Sequence, residues 1–136
     1  MAAGKSGMPT GIKELPETAR AEIDNLPVER ARALFGNDDA MFVDLRDVRE
    51  LNREGRIPEA FHAPRGMLEF WIDPESPYHK DIFGQDRHFV FFCASGWRSA
   101  LAAKTAQDLG LDRVSHIEGG FAAWREAGAP VEKTEG

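Results

Sequence analysis

The chain has 136 residues, 42% of them hydrophobic, which is enough for one globular core and too little for two. A net charge of −6 with no run of Lys or Arg is the wrong sign for a surface that grips nucleic acid or an anionic membrane, and no apolar stretch reaches the roughly 18 residues of a membrane helix. One cysteine cannot close an internal disulfide, and His62, His79, His88 and His116 lack the paired spacing of a zinc site, so no metal is expected and no histidine is given a role.

Residues 1–11 are small, polar and Gly-rich and read as a disordered tail, which leaves residues 12–136 as a single domain. MAAGKSGMPTG has no hydrophobic signal core, so the expected location is cytoplasmic. IKELPETARAEIDNL carries Ile12, Leu15, Ala19, Ile23 and Leu26 on a broken helical period and is predicted as a helix. PVERARALFG is a second, with Pro27 at its start and Gly36 at its stop. AMFVDLR, apolar at its centre and bounded by polar residues, reads as a buried strand. DVRELNREG then reads as a helix, with Asp47 as N-cap, Glu50 completing a capping box and Gly55 ending it.

EAFHAP is a second strand stopped by Pro64, RGMLEFWI a short helix bearing Met67, Leu68, Phe70 and Trp71, and DPESPYHKDIFGQD a loop. HFVFFC is a near-continuous apolar run, the pattern of a central parallel strand covered on both faces. SALAAKTAQDLG follows as a helix with Leu101, Thr105 and Leu109 at fourfold spacing, RVSHI as a last strand and FAAWREAG as a closing helix. Strands alternating with helices predict an α/β fold, a parallel sheet between two helical layers, with ligands at the carboxyl ends of the strands.

Cys93 falls at such an end, in the loop Cys93-Ala94-Ser95-Gly96-Trp97-Arg98-Ser99. A tight loop running into a helix start gathers N–H groups around a small concavity, Gly96 permits the turn, Arg98 adds a cation, and Ser99 can cap the helix or donate to sulfur. Such surroundings favour the thiolate that a nucleophilic cysteine needs.

This loop resembles the active-site loop of rhodanese-like sulfurtransferases, and the resemblance is strongest over residues 28–131. FVDLRDVRE is similar to the family's early strand with its Asp-x-Arg. GRIPEAFHAPRG is similar to its Gly-His-Ile-Pro-Gly-Ala segment, with Glu59 where a Gly often stands, and IEGGFAAWREAGAPV to its Gly-Gly-x-x-x-Trp region. The resemblance implies a three-layer α/β/α domain with a five-stranded parallel sheet. It also implies that Cys93 takes a sulfane sulfur from a small donor such as thiosulfate and passes the persulfide sulfur to cyanide, a thiol or a protein cysteine, with no cofactor. Asp44 would brace the active-site loop and Arg46 would pair with an acid such as Glu50. Arg65, just beyond a strand end, could meet an anionic donor, and Trp97, Met67, Phe70 and Trp71 could wall the mouth.

The alternative enzyme reading is a cysteine-dependent phosphatase or arsenate reductase of a related fold. Those loops place five residues between Cys and Arg, whereas four separate Cys93 from Arg98, and Phe92 stands where the phosphatases usually have His. A non-catalytic binding module is the third reading, and the presence of Cys93 argues against it.

Overall fold

The apolar run before the cysteine folds as expected, into the strand at the centre of the sheet. The computed structural model describes residues 9–134, so most of the tail expected over residues 1–11 lies outside the described residues. In chain order the elements are α1 (Glu14–Arg20), β1 (Asp24–Leu26), α2 (Val28–Leu34), β2 (Ala40–Asp44), α3 (Val48–Glu54), β3 (Phe61–His62), α4 (Leu68–Ile72), β4 (His88–Phe92), α5 (Trp97–Leu109), β5 (Val114–Ile117) and α6 (Gly120–Glu126). The five strands are all parallel in the order β1-β5-β4-β2-β3. Among the described residues no helix is long and apolar enough to cross a membrane.

Side chains of successive strand residues point to opposite faces, and β4 shows why its sequence is apolar throughout. Phe89 and Phe91 enter one core with Val43, Leu68 and Ala102, Ala103 and Ala106 of α5, while Val90 and Phe92 enter the other with Ile117, Phe121 and Trp124. Full burial of each such side chain is worth about 1.5–3 kcal/mol. Trp124 meets Phe35 and Phe42 edge to face and donates its indole N–H to the Pro130 carbonyl, so the largest side chain of the second core leaves no polar atom stranded.

Four differences from the sequence reading matter. Residues 12–26 are not one helix: α1 ends at Arg20, and Asp24–Leu26 form β1, the edge strand paired with β5. Three residues are too few to show a period, and only pairing with a distant strand makes them a strand. Pro16 is tolerated in α1 because it sits in the first turn, where N–H groups have no intrahelical partner. α5 begins at Trp97, two residues before the expected start, which brings Arg98 and Ser99 into its first turn. Its buried stripe is Ser99, Ala100, Ala102, Ala103 and Ala106 rather than Leu101, Thr105 and Leu109, because small side chains let the helix lie close on the sheet. RGMLEFWI divides into a 3₁₀ turn over Arg65–Met67 and the short α4. Glu59 adopts φ 66°, a left-handed conformation that costs a side-chain-bearing residue about 1 kcal/mol and that glycine would adopt without that cost.

The chain leaves β2 toward β3 on one side and leaves β4 toward β5 on the other, so the connections that follow neighbouring β2 and β4 diverge at the strands' carboxyl ends. Such a divergence opens a crevice, the place where parallel sheets bind ligands. Cys93 follows β4 directly into it.

Candidate active site

Gly96, at φ 103°, turns the chain out of the Cys93 loop and into α5. No L side chain adopts this conformation readily, and the turn brings the first N–H groups of α5 back onto the sulfur. Gly96 N–H donates to Cys93 Sγ at 3.2 Å and Ser99 N–H at 3.4 Å. The cysteine itself is only 1% exposed, with Ser95 and the 44%-exposed Trp97 forming the outer side of the loop and Ala94 half-buried between.

The last helix holds the loop from behind. Phe121 N–H donates to the Cys93 carbonyl at 2.8 Å and Ala122 N–H to the Ala94 carbonyl at 3.1 Å. This approach needs glycine at position 120, because a Cβ there would lie 2.5 Å from the Cys93 carbonyl oxygen. Arg20 of α1 adds a bond to the Gly96 carbonyl at 3.3 Å. Carbonyls are thus tied from outside while N–H groups turn inward, which is the polarity an anionic sulfur requires.

Arg98 is in the loop's helix start, as expected, but its charge is engaged. Both its terminal nitrogens bond the Glu50 carboxylate at 2.9 Å, and Glu50 also accepts from Asp47 N–H in the capping box of α3. The Arg98 bonds hold the Glu50 carboxyl below its ordinary range. One carboxylate therefore fastens the start of α3 to the start of α5 across the crevice.

Two expected roles are corrected. Arg46 does not pair with Glu50: its guanidinium bonds Asp44 through Nε at 3.0 Å and Nη2 at 2.8 Å, reaches the Gly55 carbonyl and lies over the Phe121 ring at 4.1 Å. The side-chain hydrogen bonds of Asp44 go to Arg46, side chain and backbone N–H, and not to the cysteine loop. The reason is geometric, since residues two apart at the end of β2 point to the same side and meet inside the protein. Arg65 is turned to Glu69 at 2.8 Å and lines a groove between α1 and α5 with Leu15, Ala19 and Leu101. Trp71 packs on Phe61 in the first core and Phe70 on Tyr78, so neither is bonded to the loop.

Two residues to which the sequence assigns no role, His116 and Asn25, lie behind the sulfur and Ser99. Ser99 Oγ is 3.6 Å from Cys93 Sγ and 2.9 Å from His116 Nδ1, and His116 Nε2 is 2.8 Å from Asn25 Oδ1. Asn25 and His116 are direct register partners on β1 and β5. Burial, and then the Arg20 charge, hold the His116 ring down at about 4, so it is neutral at neutral pH. The available signal was its place at the carboxyl end of a strand, just before Gly119 and Gly120.

Among known proteins, the profile of the rhodanese-like domain family matches residues 27–127. The mouse thiosulfate sulfurtransferase/rhodanese-like domain-containing protein 3 is 28% identical over 109 residues, covering 76% of this chain and 69% of the mouse protein. The polysulfide-sulfur transferase of Wolinella succinogenes superposes with a TM-score of 0.68 at 30% identity, over 90% of this chain and 88% of that one. A Rhodopseudomonas palustris protein of unknown function, described as a possible tyrosine phosphatase, superposes with a TM-score of 0.89 at 57% identity, over 92% and 96%. A match across 101 residues, the five-stranded parallel sheet and a cysteine loop closed by the Gly-Gly start of the last helix agree: the chain belongs to the rhodanese-like domain family.

Proposed function

We propose that the protein is a sulfurtransferase that carries sulfane sulfur as a persulfide on Cys93. The observation that carries this reading is the convergence of the Gly96 and Ser99 N–H groups on a sulfur whose loop carbonyls are tied away from it. With thiosulfate as donor, the Cys93 thiolate attacks the outer sulfur, the new S–S bond forms, the donor's S–S bond breaks, and sulfite leaves with the electron pair. An acceptor such as cyanide, a small thiol or a protein cysteine then attacks the terminal sulfur and returns the thiolate. The chain has one cysteine and hence no internal resolving thiol, so the acceptor comes from outside.

The phosphatase reading is favoured by the name given to the R. palustris protein. Two features of this chain weigh against it. Four residues between Cys93 and Arg98 make a ring one residue shorter than the Cys-x5-Arg loop, and both terminal nitrogens of Arg98 are bonded to the Glu50 carboxylate.

Mass spectrometry after exposure to thiosulfate should show one added sulfur on Cys93, and Cys93→Ser should lose both the adduct and thiocyanate formation while keeping its fold. Hydrolysis of p-nitrophenyl phosphate by the native protein, absent in Cys93→Ser, with no sulfur adduct, would transfer the assignment to phosphoryl chemistry.

A further inference from the structure

The polar chain behind Cys93 has a direction of hydrogen donation that can be read from its far end. Asn25 Nδ2 lies 2.9 Å from the Arg20 carbonyl oxygen and 3.2 Å from that of Ile23. Two carbonyls at one end of an amide require its NH₂ there, so the atom facing His116 Nε2 is Oδ1, which can only accept. Nε2 therefore carries the ring hydrogen and Nδ1 does not, as the neutral state of this buried ring allows. Nδ1 then takes the one hydrogen of the Ser99 hydroxyl. Ser99 Oγ meets Cys93 Sγ with a lone pair: it accepts from a thiol S–H and cannot donate to sulfur.

We propose that His116 and Asn25 are positioning residues of the sulfur-transfer site, which fix the Ser99 hydroxyl as an acceptor and thereby favour the persulfide over the empty thiolate. The inference rests on the sulfur-transfer reading above. In the empty thiolate the negative charge is on Sγ, against the Ser99 lone pair. After loading, Sγ is bonded to Cβ and to the transferred sulfur and is uncharged, and the charge sits one atom further out. The lone pair thus opposes the reactant and leaves the product alone. Turning the hydroxyl toward the sulfur would strand His116 Nδ1 as a buried acceptor without a hydrogen, which is the restraint that keeps the arrangement. In this role Asn25, on the edge strand, governs a hydrogen two side chains away from it.

Two measurements on the full chain test this. Nitrogen-15 NMR of labelled histidine should show His116 as the Nε2–H tautomer across about pH 6 to 8, whether or not any sulfur is transferred. An Nδ1–H tautomer or an imidazolium in that range would overturn the proposal. The second is the equilibrium fraction of Cys93 persulfide, read by intact-mass spectrometry while thiosulfate is titrated against sulfite. Ser99→Ala should lower the loading constant about fivefold, because removing the lone pair relieves the empty form alone. His116→Phe, which frees the hydroxyl to turn onto the sulfur, should lower it at least as far. Normal wild-type loading with an unchanged or raised constant in Ser99→Ala would defeat this inference and leave sulfur transfer standing. A wild-type protein that takes no sulfur would remove both.

Discussion

The strand that leads into Cys93 runs between two buried polar systems, and each meets the problem of burial differently. On the β2 side, Asp44 and Arg46, each with 1% of its side chain exposed, pair opposite charges. On the β5 side, His116 is uncharged, and a single line of hydrogen bonds runs from Asn25 to the sulfur. The first arrangement is vulnerable to losing a partner, the second to gaining a proton. Only the second touches the sulfur, which makes the charged pair a support and the neutral chain part of the candidate site.

The largest effect is expected from deleting half of the charged pair. Asp44→Ala leaves Arg46 buried without its carboxylate and should cost about 3–5 kcal/mol in urea unfolding, whereas replacing both residues by apolar ones should cost much less. Equal losses from the single and double changes would show that the pairing itself is not what holds this side.

Acid separates the two systems next. The His116 ring is held near 4 in the folded protein against an ordinary 6.5, so the unfolded chain binds the extra proton and stability falls as pH falls between those values. The loss should total about 3 kcal/mol. His88, lowered by its own burial, adds in the same direction, so His116→Gln should remove the larger part of the slope and not all of it. A slope over pH 6.5 to 4.5 that survives His116→Gln in full would place the titration elsewhere.

The smallest effect belongs to Glu50 and Arg98, a pair like Asp44–Arg46 in chemistry but with 19% and 40% of the side chains exposed. Solvent screening limits Glu50→Gln to about 1 kcal/mol or less, and added salt should shrink the difference further. Because the Glu50 carboxyl is lowered from 4.5, its contribution is fully present above that value and is lost as pH falls through its lower folded value. Thermal melts of wild type and Glu50→Gln at two salt concentrations measure it. A loss comparable to that of Asp44→Ala would erase the distinction between buried and half-exposed pairs.

What could be read from the sequence was what is written locally. Val90 to Phe92 announce a central strand by being apolar at every position, Asp47 and Glu50 announce a helix start by their spacing, and Cys93 with Gly96 announces a turn at a strand end. The five-stranded parallel sheet followed from the family resemblance, but the fifth strand could not be located, because Asp24–Leu26 become a strand only against Ser115–Ile117. Distance in sequence hid the rest. Arg98 and Glu50 are 48 residues apart, and Asn25 and His116 are 91, so no window of sequence contains either pair. Arg46 misled for the opposite reason, since its true partner, two residues away, was assigned to the loop.

The hold of α6 on the cysteine loop has a consequence in time. The donors at Phe121 and Ala122 that fix the Cys93 and Ala94 carbonyls come from almost thirty residues further along the chain, and Gly120 is the close-fitting joint between them. Any partly folded form in which α6 has not docked can possess the whole of β4 and α5 and still present an unfinished cradle. Completion of the cradle around Cys93 is then a late event in folding, because it awaits the docking of the last helix.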